Sequence, residues 1–324
     1  MFNIRRIPAW LTATVSFPLM IMSGAAQSQN FPAKAIRIVA PEAGGGADFV
    51  VRLVAQGMTG GLGQQVIVDN RGGSAAIPAD LVAKASATGY TLLFHGGTVW
   101  MLPLLQSSVP YDMARDFAPL TLVANSPSFI AVHPSLAATS VKELIVVAKA
   151  RPGQLNYGSA ISGSTPHLAV ELFKAMAGVD IVRVSYKGAA PALNAVIAGE
   201  AQVIITVAAS VAPHVKSGRL RGLAITSAEP SPIFPGVPTV AATLPGYEAG
   251  TMHVMFAPAG TPAPIVNRLQ REVARVVNGA ELKEKLYTAG IEGVGSTPEQ
   301  LAATMKADVA RMGKVIRDAG IRAD

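Results

Sequence analysis

Short apolar runs alternate with segments of helical period along most of the chain. Residues 36–40, 66–68, 91–94, 120–124, 129–132, 181–184, 202–207, 223–226 and 254–257 read as buried strands. Residues 49–58, 79–85, 141–150, 166–177 and 191–198 carry helical patterns, and three more helices, 265–278, 280–289 and 298–319, close the chain. Strand–helix–strand repetition at this spacing predicts a mostly parallel sheet with helices on both faces. The helix limits follow from local chemistry. Ser140 caps the helix at 141, and Gly60-Gly61-Leu62-Gly63 ends the one that begins at Phe49. Thr165 as N-cap, Pro166 at the first helical position and Gly178 just past the end bound another. The two strand signals around Ser126-Pro127 mark a crossing between halves of the chain, and 254–257 is the return strand.

Two turns between strand and helix have chemical character. In Pro41-Glu42-Ala43-Gly44-Gly45-Gly46-Ala47-Asp48, three glycines let backbone N–H groups face outward at a helix start, with Asp48 as the N-cap. Unpaired donors and the positive end of the helix dipole favour an anion there. The stretch 155–167 is a second loop of small and hydroxyl residues opening onto a helix. Ligands of such sheets bind beyond the carboxyl ends of the strands, where Gly44–Gly46 and Gly96-Gly97-Thr98 sit.

Composition narrows the picture. The 324 residues are half hydrophobic and only 15% charged, enough for two folded domains of ordinary size. Residues 1–28 are an export signal: Arg5 and Arg6, an apolar run, then small residues with cleavage near Ala26 or Ser28. The absence of cysteine excludes disulfides, thiolate metal sites and a cysteine nucleophile. Losing Arg5 and Arg6 lowers the formal charge from +7 to +5. The remaining charge is scattered and aromatics are few, which argues against nucleic acid and suits a small anion. His95, His133, His214 and His253 lack metal-ligand spacing, so no metal and no cofactor are expected. Neither a dinucleotide fingerprint, a P-loop nor a G-x-S-x-G elbow is present.

A series of landmarks is more specific. Gly44-Gly45-Gly46-Ala47-Asp48, Asp69-Asn70-Arg71, Gly89-Tyr90-Thr91-Leu92-Leu93, Pro110-Tyr111-Asp112, Leu155-Asn156-Tyr157-Gly158-Ser159, Pro166-His167-Leu168-Ala169, Tyr186-Lys187-Gly188 and Pro258-Ala259-Gly260-Thr261-Pro262 follow in order. In them the chain resembles the substrate-binding proteins of tripartite tricarboxylate transporters, the Bug-type periplasmic receptors. The resemblance implies an α/β, two-domain periplasmic-binding-protein fold, type II-like, with the ligand in the interdomain cleft. Domain 1 would be 29–126 plus 254–324 and domain 2 would be 127–253. It implies a small carboxylate as ligand, delivered by a monomeric receptor to membrane transporter subunits or a sensor. Carried over, the first-domain contacts fall on Gly45, Gly46, Ala47 and Asp48, with Gly97 and Thr98 nearby. The second-domain contacts fall on Ser159, Ser162, Gly163, Ser164, Thr165 and His167, with Tyr186 and Lys187 along the cleft and Thr206 as a further ligand-binding candidate.

Departures from the family pattern predict a changed ligand. Pro41, Glu42 and Ala43 replace an aromatic residue and an alanine–proline pair. Thr206 stands where an aspartate is common, and Met252-His253 where an aromatic pair is usual. Glu42 is read mainly as a solvated loop carboxylate; near the cleft mouth it would repel a polyanion or pair with an amine. Asp48 is read mainly as a cap and His167 as a neutral, hydrogen-bonded histidine, since the helix dipole disfavours a charged ring there. The competing reading is a periplasmic α/β hydrolase of a small acid ester, built on Ser159, Ser162, His167 and Asp48.

Overall fold

The computed structural model describes residues 31–323 except 42, 45, 73, 160 and 161, so the predicted export signal, Glu42 and Gly45 lie outside the described residues. In chain order the first elements are β1 (Ile36–Ala40), α1 (Gly46–Leu62), β2 (Val66–Asn70), α2 (Ala76–Ala83) and β3 (Thr91–Gly96). A 3₁₀ turn, Gly97–Trp100, and two short helices, α3 (Leu102–Leu105) and α4 (Met113–Asp116), lead to the long β4 (Phe117–Val132). Then come α5 (Val141–Ala150), β5 (Asn156–Ser159), α6 (Thr165–Ala177), β6 (Val182–Ser185), α7 (Ala189–Ile197), β7 (Val203–Val207), α8 (Ala208–Lys216) and β8 (Arg221–Ile225). The chain ends with β9 (Gly250–Pro258), α9 (Ala263–Val277), α10 (Ala280–Thr288), β10 (Glu292–Gly293) and α11 (Pro298–Asp318).

The strands lie in the order β2-β1-β3-β9-β4-β7-β5-β6, with β8 and β10 also pairing with β4. The sheet is mixed, not mostly parallel. β1 pairs in parallel with β2 and β3, and β5 with β6 and β7, as the helical crossovers between them require. Every antiparallel pairing involves β4 or β9. Those two strands run between the parallel units, and their direction is what periodicity alone does not reveal.

The two apolar signals around Ser126-Pro127 belong to one strand. Residues 117–127 of β4 pair with β9, whereas 128–132 pair with β7 and β8. Pro127 stands where the partner changes, and bulges follow Pro119, so neither missing N–H breaks a regular ladder. The boundaries expected at 126/127 and 253/254 therefore fall inside β4 and β9. Residues from 32 onward pack as one compact unit. Its larger core cluster takes Val39 and Leu93 from one parallel unit and Tyr157 and Ile205 from the other.

Two helical expectations change. α1 runs on through Gly60 and Gly61 to Leu62. A Cβ on Gly57 would lie 2.4 Å from Val276 Cγ1, so α1 and α9 approach closely only with glycine there. α8 carries Pro213 within a helix that periodicity left unassigned, and buries Ala208 and Val211. The cap on α5 forms as expected, with Ser140 accepting from the Glu143 N–H, and Gly178 ends α6 at φ 62°. On α6 the limits move by one residue: Ser164 is the N-cap and Thr165 the first helical residue.

Candidate functional site

The first candidate turn joins β1 to α1. The helix begins at Gly46, so Asp48 is its third residue and not its cap. Its carboxylate still serves the turn: it accepts from the Gly44 N–H at 3.0 Å and from Asn70 Nδ2 at 2.9 Å. Arg52 Nε reaches both carboxylate oxygens, at 2.9 and 3.0 Å, and Arg52 Nη2 donates to Asn70 Oδ1 at 2.7 Å. Asn70 also donates to the Pro41 carbonyl at 2.8 Å. The Arg52 bond holds the Asp48 carboxyl below the usual aspartate range, outweighing its burial. Asp48 is 8% exposed and its oxygens are engaged in holding the loop. The first-turn backbone N–H groups of exposed Gly46 and half-buried Ala47 have no acceptor within the helix itself.

The second turn joins β5 to α6. Ser159 is buried; its Oγ accepts from Arg183 Nε at 2.8 Å and its carbonyl from the Tyr186 N–H at 2.9 Å. Ser162 Oγ donates to the Arg322 carbonyl. The Gly163 N–H donates to His167 Nδ1 at 3.0 Å, which puts the proton of the neutral ring on Nε2. Burial, reinforced by the charge of Arg183, pushes His167 down to about 4, so the ring is neutral as expected. Ser164 Oγ is buried without a hydrogen-bond partner at the start of a thirteen-residue helix. Here the loop offers an N-terminal dipole, an uncommitted hydroxyl and the guanidinium of Arg183 nearby. Arg183 was visible only as a residue of strand 181–184; its placement beside Ser159 comes from the β5–β6 register, Tyr157 opposite Arg183.

Gly163 takes φ 74°, and a Cβ on it would lie 3.1 Å from Leu105 Cδ1 and from Ala323 Cβ. Gly163→Ala is expected to cost about 1–2 kcal/mol of stability, the usual penalty for an L-residue in left-handed backbone. Urea denaturation of the variant checks it, and an unchanged midpoint would contradict the assignment.

Beside the α6 turn lies a cavity of about 420 Å³. Gly97 and Thr98 line it after β3, Asn125 to Pro127 on β4, Gly250 to Met252 on β9, and Thr165 and Leu168 on α6. α11 closes it with Asp308 and Arg311. Asp308 accepts from Trp100 Nε1 at 2.9 Å and from Arg311 Nη2 at 2.9 Å, and Arg311 Nη1 donates to Glu248 at 3.0 Å. Of the expected contacts, the structure gathers Gly97, Thr98 and Thr165 here. Gly46, Ala47, Asp48, Ser159, Ser162, Gly163, Ser164 and His167 stand at the two turns outside the lining. Tyr186 packs on the smaller core cluster, Lys187 is exposed, and Thr206 is buried on β7 opposite Phe129. Asp308, Arg311 and Glu248 were not anticipated, because their only sequence signal is the polar face of an amphipathic helix and a loop glutamate.

One serine–histidine pair lies at the cavity wall. Ser126 Oγ lies 3.3 Å from His253 Nε2, but burial pushes that imidazole down to about 4 and its Nδ1 has no partner. A ring so weakly basic, with no carboxylate to orient it, is a poor general base. Among the described residues no cluster of histidines and carboxylates is arranged to hold a metal ion, and no helix is long and apolar enough to cross a membrane.

Two parallel βαβ units on long antiparallel strands, with small-residue turns leading into α1 and α6, define the periplasmic solute-binding class of proteins. The chain belongs to the tripartite tricarboxylate transporter family of receptors, whose family model matches residues 50–321. It is 33% identical to the protein BugT of Bordetella pertussis over 303 residues, covering 91% of this chain and 92% of that one. Among solved structures it is similar to R. palustris Rpa4515 with adipate, at 36% identity and TM-score 0.74, covering 90% of this chain and 99% of the other. It is also similar to MatC of Rhodopseudomonas palustris with bound malate, at 27% identity and TM-score 0.70, covering 88% and 100%.

Proposed function

We propose that this protein is a periplasmic receptor that captures a small organic carboxylate and delivers it to a membrane transporter. The observation that carries the reading is the turn into α6, where a helix N-terminus opens beside the buried, unpartnered Ser164 Oγ, with Arg183 held on the preceding Ser159. Bound adipate and malate in two related structures support the same ligand class. In this reading, residues 29–126 with 254–324 form one lobe and 127–253 the other, and β4 and β9 act as the hinge. The carboxylate binds between the N–H groups of Gly46 and Ala47, the Gly97–Thr98 turn and the Ser162–Thr165 turn. The export signal directs the chain to the periplasm, where it works as a monomer without cofactor or catalysis.

Thermal shift of the mature protein against about a hundred carboxylates tests this. A ligand at 100 times its Kd adds about 2.7 kcal/mol of stability and raises Tm by several degrees. Cleavage near Ala26 or Ser28 removes Trp10 and leaves Trp100, whose indole donates to cavity-lining Asp308, as the one tryptophan reporter. The expected result is a carboxylate that moves both Tm and Trp100 fluorescence. A purified protein shown by mass spectrometry to be ligand-free, yet silent to the whole panel, would overturn the reading.

A further inference from the structure

The cavity carries the wrong charge for a second carboxylate. Three carboxylates line it, Glu248, Glu292 and Asp308, against the single guanidinium of Arg311, a formal charge of −2. Arg311 is already shared between Asp308 and Glu248. Glu292 is half-buried on β10, and among the described residues no cation lies within ion-pair distance of it. A further acceptor points the same way: Asn125, opposite Glu292 in the β4–β10 register, lines the cavity with a buried Oδ1 that has no donor. The remaining wall combines aliphatic side chains, among them Met101, Leu168, Met252 and Met312, with the hydroxyls of Ser126, Ser227, Thr251 and Thr304. Thr98 and Thr165 join this space to the turns proposed to hold the carboxylate.

Resting on that receptor reading, we infer that the ligand is an amino-carboxylate whose protonated amine occupies the acidic cavity, separated from its carboxylate by an alkyl spacer. A diacid would bring its second charge against Glu248, Glu292 and Asp308 in a partly desolvated space, where like charges repel more strongly than in water. An ammonium group supplies the donors that Glu292 and Asn125 lack. Methylenes of the spacer pack on the methionine and leucine side chains, which adapt to chain length. The cavity thus sets specificity and the α6 turn supplies the shared carboxylate recognition.

Calorimetry with straight-chain ω-amino acids of four to eight carbons, each matched to its diacid and its monoacid, tests the inference. At least one ω-amino acid should bind tenfold or more tightly than both of its matched acids. Glu292→Gln should erase most of that advantage while leaving the affinity for the monoacid within about twofold. Glu248→Gln provides a second arm should the first variant fail to fold. Diacids binding as tightly as, or more tightly than, the ω-amino acids would overturn the inference and leave the receptor reading intact. The same holds if another carboxylate binds and no ω-amino acid does. Binding of no carboxylate of any kind would instead overturn the receptor reading.

Discussion

Lowering the pH from 7 to 4.5 is expected to destabilise the folded protein steeply, by up to about 2.7 kcal/mol per pH unit near pH 5. His167 and His253 are both buried, and both are pushed from the ordinary 6.5 down to about 4. For His167 the cause is burial first and the charge of Arg183 second, with Glu171 opposing; for His253 it is burial alone. Between pH 4 and 6.5 the unfolded chain binds two protons that the folded chain excludes. Stability is therefore complete above about 6.5 and is lost as the pH falls toward 4. Urea titrations at half-unit intervals read the slope directly. His167→Gln, which keeps an acceptor for the Gly163 N–H, should halve it, and so should His253→Gln. A flat profile between pH 7 and 5 would mean that both rings are already protonated or solvated in the folded state.

Asp48→Ala is expected to lower stability by about 2–4 kcal/mol and to weaken carboxylate binding at least tenfold. Gly44, Asn70 and Arg52 all donate to this one carboxylate, and hydrogen bonds to a charged, poorly exposed acceptor are worth about 1.5–3 kcal/mol each before the donors re-solvate. Arg52 is more than half exposed, so its share is small. The larger loss comes from the Gly44 N–H and Asn70, which together fix the turn ahead of α1. Asp48→Asn should recover part of the stability, since its oxygen can accept one of those bonds. Binding would fall because Gly46 and Ala47 would no longer be held in place. Denaturant midpoints with calorimetry on the same samples check both effects. Full affinity in a destabilised Asp48→Ala would show that the first turn takes no part in binding.

What was legible in the sequence is what local chemistry controls. Ser140 and Gly178 bound their helices, and the parallel units around β1 and β5 announce themselves by apolar runs at crossover spacing. The two small-residue turns were also legible, because glycine and serine ahead of a helix act within a few residues. The rest depends on partners far along the chain. Pro127 looks like a strand break until β4 exchanges β9 for β7 beside it. Asp48 reads as a cap because Asn70, which fixes its real role, comes from another strand. Gly57 reads as a weak helix position until α9 is seen against it. The acidic cavity was invisible for the same reason: Glu248, Glu292 and Asp308 come from a loop, a strand and a helix far apart in sequence, and in the sequence each alone reads as an ordinary surface carboxylate.

The most direct test of the account is a crystal structure of residues 29–324 with the tightest ligand from the carboxylate panel. The account predicts one molecule per chain, with its carboxylate on the Ser164 hydroxyl and the first N–H groups of α6, facing Gly46 and Ala47 across a closed cleft. A carboxylate seated on Arg311 in the cavity, or a ligand lying away from both turns, would contradict it.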